Sequence, residues 1–282
     1  MLPMLLSLLV FQHAAAPDLR ARIEKLIDSS GAEVAVVVRS IQGKDEIAID
    51  ADKPFHAAST MKVPVMIELY RQAEAGRLSL DDPLAIRNAF HSIVDGSVYQ
   101  LSVGDDSDAE VYKNVGKTMT LRELCDAMIT VSSNFAANLL IERLGVENIR
   151  TTVSRLGADG MNVLRGVEDQ KAFDKGLNNT TTARGLAVLM QKLAAGQAVS
   201  PTADAQMTAI LERQTFNDAI PAGLPPGTRV AHKTGTITKI HHDAAIVYGA
   251  RPYVLVVLVR GIEDQKQSAA LIAAISREVW NR

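Results

Sequence analysis

The sequence predicts an α/β (α+β) fold: an antiparallel sheet built from the N- and C-terminal segments, flanked by helices, with a large inserted all-α domain. Three observations predict it. Strand-like runs are confined to residues 33–50 and to residues beyond 228. The stretch from Ser59 to about Gly196 carries helical periodicity instead. Each end of the chain also has a helical segment beside its strands. As domains, 17–57 and 203–282 make the sheet part and 58–202 the helical part, with a cleft between them, where ligand sites are favoured.

The elements follow in order. Residues 1–16 stand apart: Met1 to Phe11 is almost wholly apolar and Ala14-Ala15-Ala16 offers a small-residue cleavage site, so a secretory signal peptide and a periplasmic or secreted protein are expected. No later stretch reaches the ~18 uninterrupted apolar residues of a membrane span, so no anchor is expected once the signal is removed. From Pro17 to Ser29, Leu19, Ile23, Leu26 and Ile27 recur at helical spacing. Residues 33–39 and 46–50 read as strands joined by the turn chemistry of Gln42-Gly43-Lys44-Asp45. Thr120-Leu121-Arg122-Glu123 is a capping box, and apolar residues at 121, 124, 125 and 128 continue it as a helix. Asn134 to Leu144 reads as a second helix, closed by Gly145. Thr180-Thr181-Thr182 precedes a third, with Leu186, Leu189, Met190 and Leu193 on one face. The polar, acidic segment 91–117 has no period and reads as a long excursion. Late strands are expected at 228–236, 243–248 and 253–259, the last two joined by Gly249-Ala250-Arg251-Pro252, before a closing helix from Gln265 to Trp280.

Composition removes several function classes. The 282 residues are 47% hydrophobic and 22% charged, and 30 Lys plus Arg against 32 Asp plus Glu leave a net charge of −2, so no nucleic-acid partner is expected. The single cysteine, Cys125, permits no intrachain disulfide and no cysteine-based zinc cluster; among Leu121, Leu124 and Met128 it reads as a buried thiol.

Three short motifs carry chemistry. Ser59-Thr60-Met61-Lys62 places a serine and a lysine on one face where a helix begins. Burial and the helix terminus would lower the Lys62 pKa and let its amine take the serine proton. A capping serine followed by a solvated lysine is the other reading. Ser132-Ser133-Asn134 lies in a break between two helices, where a hydroxyl could relay a proton and an amide could bind a carbonyl, or where both could serve only as caps. Lys233-Thr234-Gly235 lies in a strand-like run; glycine there marks close approach of another backbone or a ligand, and lysine plus hydroxyl suit a carboxylate. The N–H groups of Ser59 and Thr236 could together form an oxyanion hole. A solvated edge strand is the alternative.

Taken in order, Ser-x-x-Lys, Ser-x-Asn and Lys-Thr-Gly resemble the motif set of class A β-lactamases and penicillin-binding proteins. The sequence resembles the class A β-lactamase family over nearly the whole mature chain, including Gly76-Arg77-Leu78-Ser79-Leu80-Asp81-Asp82, Thr120 to Cys125, and Ala136-Ala137-Asn138-Leu139-Leu140. The resemblance implies roles: Ser59 as nucleophile, Lys62 as base or proton shuttle, Ser132 as relay to the leaving nitrogen, Asn134 on the substrate amide. It also implies Lys233 and Thr234 on the substrate carboxylate, and the N–H groups of Ser59 and Thr236 on the oxyanion. No cofactor is implied.

The resemblance breaks in two places. The family carries a Glu on an Ω-shaped loop, followed by a Leu-Asn pair, to hold the hydrolytic water. Here Glu168 is the best candidate for that Glu, but it stands one position further from Arg165 than the family spacing, Lys171 and Ala172 replace the Leu-Asn, and Asn179 replaces the acid expected opposite Arg165. After Lys-Thr-Gly, His241-His242-Asp243 stands where an arginine often meets the substrate carboxylate, and Asp243 would oppose an anion there. With His232 these histidines fit no common zinc spacing. The expected function is therefore a serine β-lactamase-like hydrolase acting as a monomer on small-molecule β-lactams. A D,D-peptidase acting on cell-wall peptides is the alternative, and a β-lactam sensor or catalytically retired binding domain the third reading.

Overall fold

Asp18 caps the first helix, α1 (Leu19–Ser30), by accepting the Ala21 N–H, and Gly31 ends it at φ 66°. The computed structural model describes residues 18–42 and 45–282. The predicted signal peptide, and Gly43 and Lys44 of the first turn, lie outside the described residues. Strands β1 (Glu33–Ser40) and β2 (Glu46–Ile49) pair antiparallel. After β3 (Phe55–His56), a 3₁₀ turn over Ala58–Met61 leads into α2 (Lys62–Glu74). Between α2 and the next helix lie β4 (Pro83–Ala85), β5 (Phe90–His91), β6 (Val98–Tyr99) and β7 (Thr118–Thr120), of which only β6 falls wholly within the expected 91–117 excursion. The predicted capping box opens α3 (Leu121–Thr130). Then come α4 (Asn134–Leu144), α5 (Val146–Arg155), the short α6 (Gln170–Asp174), β8 (Thr180–Thr181), α7 (Ala183–Ala194) and α8 (Pro201–Leu211). The chain closes with β9 (Val230–Ile237), β10 (Ile240–Val247), β11 (Tyr253–Arg260) and α9 (Gln265–Trp280).

Both termini build one five-stranded sheet, in the order β2-β1-β11-β10-β9, with every neighbouring pair antiparallel. Side chains alternate across it. Val34, Val36 and Val38 of β1, with Leu255 and Val257 of β11, pack with Ile23 of α1 and Ile272 and Ile275 of α9. Ala35 and Val37, with Val254, Val256 and Leu258, face the other way, into a core with Leu186 and Met190 of α7 and the buried side of α2. Covering on both faces explains why β11 is buried over Tyr253–Val259, without the alternation of a half-exposed strand.

Several boundaries differ from expectation. The first late strand begins at Val230 and the second at Ile240, because Thr238 and Lys239, the latter at φ 58°, turn β9 tightly into β10. No glycine, asparagine or proline marks that turn. Helices α5, α6 and α8 and the short strand pairs β3–β8, β4–β7 and β5–β6 add to the elements read from sequence. Among the described residues no helix is long and apolar enough to cross a membrane.

Candidate active site

Ser59 does not cap a helix. It sits inside the 3₁₀ turn, directly after Ala58, whose φ of 45° is strained for a residue with a side chain, and its hydroxyl makes no capping bond. The Thr60 hydroxyl ties the turn to the Ala57 carbonyl at 2.6 Å. Across from it runs β9. A Cβ on Gly235 would stand 3.0 Å from the backbone nitrogens of both Ser59 and Thr60, so only glycine lets the strand approach the turn this closely. The expected close approach of a backbone at Lys-Thr-Gly is therefore present.

Lys62 is fully buried rather than solvated. Its Nζ donates to the Ser132 carbonyl at 2.6 Å, to Asn134 Oδ1 at 2.7 Å and to Ser132 Oγ at 3.2 Å. Burial lowers its pKa to about 7, against the pull of Asp106 and Glu168 towards the charged form. Lys233 is fully buried too, and its Nζ donates to Ser132 Oγ at 3.0 Å and to its neighbour's carbonyl, that of Thr234, at 2.9 Å. Burial, reinforced by the Lys62 charge, holds its pKa well below the ordinary value, with Asp243 opposing. The helix cap expected of this motif falls to Ser133, whose Oγ accepts the Ala136 N–H, and this frees Ser132, at φ 60°, to face the two lysines.

Two residues to which the sequence assigns no role of their own position Asn134 and the Ω-like loop. Asp106, in the acidic excursion, accepts the N–H groups of Asn134 and Phe135, both at 2.9 Å, and so closes the N-terminus of α4. Asn138, one turn further along α4, accepts the Val167 N–H and donates to the Val167 carbonyl, pinning the loop just before Glu168. Gly166 permits that contact, since a Cβ there would lie 2.7 Å from Asn138 Oδ1.

The loop from Arg165 to Asn179 is closed without an acid at its neck. Asn179 accepts the N–H groups of Leu164 and Arg165 and donates back to the Arg165 carbonyl. The Arg165 guanidinium is satisfied by the carbonyls of Leu177 and Gly166 and by Asn178 Oδ1. Asp169 further anchors the loop by accepting Ser92 Oγ–H and the Ile93 N–H. The positions read as replacing Leu-Asn do other work: Lys171 reaches Asp95 and Ser97, and Ala172 is buried. Glu168 is held at φ 61°, and Asn134 Nδ2 donates to its Oε1 at 3.4 Å. Although Glu168 is exposed along the open cleft, the surrounding walls desolvate its carboxyl; with Asp105 and Asp106 nearby, this raises its pKa above the usual range, against Arg165 and Lys62.

A cavity of about 410 Å³ lies between the loop and β9, lined by Ser59, Glu168, Asn134, His56, Phe173 and Thr236 among others. A second lobe of about 210 Å³ shares Ser59, Asn134 and Thr236 and adds Ser132, Thr234 and His241. The expectation that Asp243 opposes an anion in the cleft is corrected: Asp243 is fully buried beneath the 217–220 segment, paired with His232 Nδ1 at 3.0 Å and accepting the Ile220 N–H. His242 also leaves the cleft. It donates from Nε2 to the His56 carbonyl and accepts the Val259 N–H at Nδ1, and burial lowers its pKa to about 4. Of His241, His242 and Asp243, only His241 lines the cleft.

A serine turn, two buried lysines and an acid-bearing loop around one cleft, at the border of a two-ended sheet, define the class of β-lactamase and penicillin-binding-protein folds. A family model described as the β-lactamase enzyme family matches residues 18–282, and the chain belongs to that family. It is similar to the β-lactamase Toho-1 of Escherichia coli, 31% identical over 83% of this chain and 77% of the relative. Among solved structures, an ancestral (GNCA) class A β-lactamase superposes with a TM-score of 0.81 at 28% identity, covering 94% of this chain and 99% of that one. PBP-A superposes equally well, TM-score 0.81 at 26% identity, covering 93% and 94%.

Proposed function

We propose that the protein opens β-lactam rings through an acyl-enzyme on Ser59. The observation that carries this reading is the buried Lys62, with a pKa near 7, one helical turn from Ser59 and bonded to both Ser132 and Asn134. Ser59 Oγ attacks the lactam carbonyl and its proton passes to the neutral Lys62 amine. Ser132, whose oxygen accepts from both lysines, passes its own proton to the lactam nitrogen as the ring opens and recovers one from Lys62, which holds the proton taken from Ser59. Lys233 and Thr234 bind the substrate carboxylate, Asn134 the substrate amide, and the N–H groups of Ser59 and Thr236 the oxyanion, with Gly235 permitting the close approach they need. Glu168, its pKa raised, then takes a proton from water for deacylation.

A D,D-peptidase acting on cell-wall peptides is not favoured, because Glu168 lines the same cavity as Ser59 and the family match is to β-lactamases. We place the mature protein in the periplasm or outside the cell, on the apolar N-terminal segment and its small-residue cleavage site. Intact-protein mass after mixing with a penicillin, from seconds to an hour, tests the chemistry against Ser59→Ala. An adduct on the wild type that appears and vanishes as drug is consumed is expected. A permanent adduct would instead mark a penicillin target, and no adduct together with no consumption of drug would remove the acyl-enzyme reading.

A further inference from the structure

His56 lies three residues before the nucleophile, on β3, opposite Thr180 of β8 at the neck of the Ω-like loop. Its main chain is fixed from behind by the His242 Nε2–H bond to its carbonyl. Its ring is fixed as well: Nδ1 accepts the Ala58 N–H at 3.0 Å, and Phe173 stands edge-on with centroids 6.5 Å apart. A ring that accepts at Nδ1 and is neutral carries its proton on Nε2. Burial and the neighbouring Arg165 lower the His56 pKa and hold the ring neutral at pH 7.

The Nε2–H has no protein acceptor among the described residues, and the ring lines the same cavity as Ser59 and Glu168. The other side-chain nitrogens on that cavity wall already donate within the protein. Asn134 Nδ2 donates to Glu168, Gln170 Nε2 to Asp174, Asn179 Nδ2 to the Arg165 carbonyl, and the Arg165 guanidinium to three oxygens. No amide side chain stands at position 172, which is a buried alanine.

A water poised to hydrolyse an ester aims one lone pair at the carbonyl carbon and one proton at the base. Its second lone pair is free to accept a hydrogen bond from a donor that keeps its own proton. We infer that His56 is that donor, holding the hydrolytic water by its Nε2–H while Glu168 takes the water's proton. This rests on the acyl-enzyme reading above. In the step, the water oxygen bonds to the acyl carbon, its proton passes to the Glu168 carboxylate, the bond to Ser59 Oγ breaks, and Oγ recovers that proton. His56 neither gains nor loses one.

Two variants divide the ring's functions. His56→Asn offers an oxygen near the Nδ1 position, for the Ala58 N–H, but no donor at Nε2. His56→Gln reaches to the Nε2 position with an amide N–H. Acylation and deacylation constants with a penicillin, from rapid mixing and intact mass, are compared with wild type, alongside thermal unfolding. Expected is near-normal acylation in both, deacylation about 10–100-fold slower in His56→Asn, and deacylation within a few-fold of wild type in His56→Gln. The proposal is overturned if His56→Asn deacylates normally, if acylation falls in step with deacylation, or if His56→Gln is as slow as His56→Asn. A wild type that never acylates removes the parent reading, and this one with it, before any variant is made.

Discussion

Lys62 and Lys233 bring their side-chain nitrogens to one oxygen, the Oγ of Ser132, from 3.2 and 3.0 Å. The two nitrogens can thus be no more than about 6 Å apart, and two ammonium charges at that distance repel by about 3 kcal/mol at an effective dielectric of 20. Desolvation of both groups adds to this cost. The pair therefore releases a proton far below the ordinary lysine range, and the neutral amine needed for general-base catalysis exists near neutral pH.

The rate of Ser59 acylation should accordingly rise as pH increases through about 7, where Lys62 loses its proton. Lys62→Arg keeps a cation in the site but cannot serve as base, and should acylate about 10²–10⁴-fold more slowly. Stopped-flow acylation between pH 5.5 and 8.5 checks both statements; a flat profile in the wild type would take the base role away from Lys62.

Glu168→Gln should separate the two halves of the reaction. Acylation should stay within a few-fold of wild type while deacylation slows by about 10²–10⁴, so the adduct persists in mass spectra. In the wild type, deacylation should fall on acidification at a pH above the usual carboxylate range, because desolvation by the cleft walls and the nearby Asp105 raise the Glu168 pKa. Unchanged turnover by Glu168→Gln would sink the assignment.

Gly235→Ala tests the contact between β9 and the nucleophile turn. The added methyl meets backbone nitrogens of Ser59 and Thr60 at 3.0 Å, and neither can swing aside as a flexible side chain would. The turn must shift, so acylation should drop by about 10²-fold, with a stability loss of about 1–3 kcal/mol. Wild-type acylation kinetics in this variant would show that the strand does not constrain the turn.

Much of this was legible because the signals were local. The Thr120–Glu123 capping box, the Gly145 stop and the Gln265–Trp280 helix need only neighbouring residues, and the structure has each where the pattern put it. Asp243 was misjudged because strand alternation puts it on the same face as His241; what takes it out of the cleft is the Ile220 N–H of the 217–220 segment, which its carboxylate accepts, while His241 lines the cleft. No local pattern predicts that cover. Asn138 and Gly166 were invisible singly, since their meaning is a mutual contact across 28 residues.

Asp106 is the clearest case of tertiary information, and it yields the last prediction. In sequence it is one acid in a polar run; in the fold it is bonded to the N–H groups of Asn134 and Phe135 and to the Tyr112 hydroxyl. Asp106→Ala leaves two N–H groups at the α4 terminus without this acceptor and frees Asn134, which holds both Lys62 and Glu168. Loss of such a charged cap should lower stability by about 1–3 kcal/mol in urea unfolding. Because Asn134 is loosened rather than removed, KM for a β-lactam should rise more than kcat falls, and Asp106→Asn, which keeps one oxygen acceptor, should recover part of both losses. If Asp106→Ala unfolds at the wild-type urea midpoint with unchanged KM, the cap contributes nothing to the site.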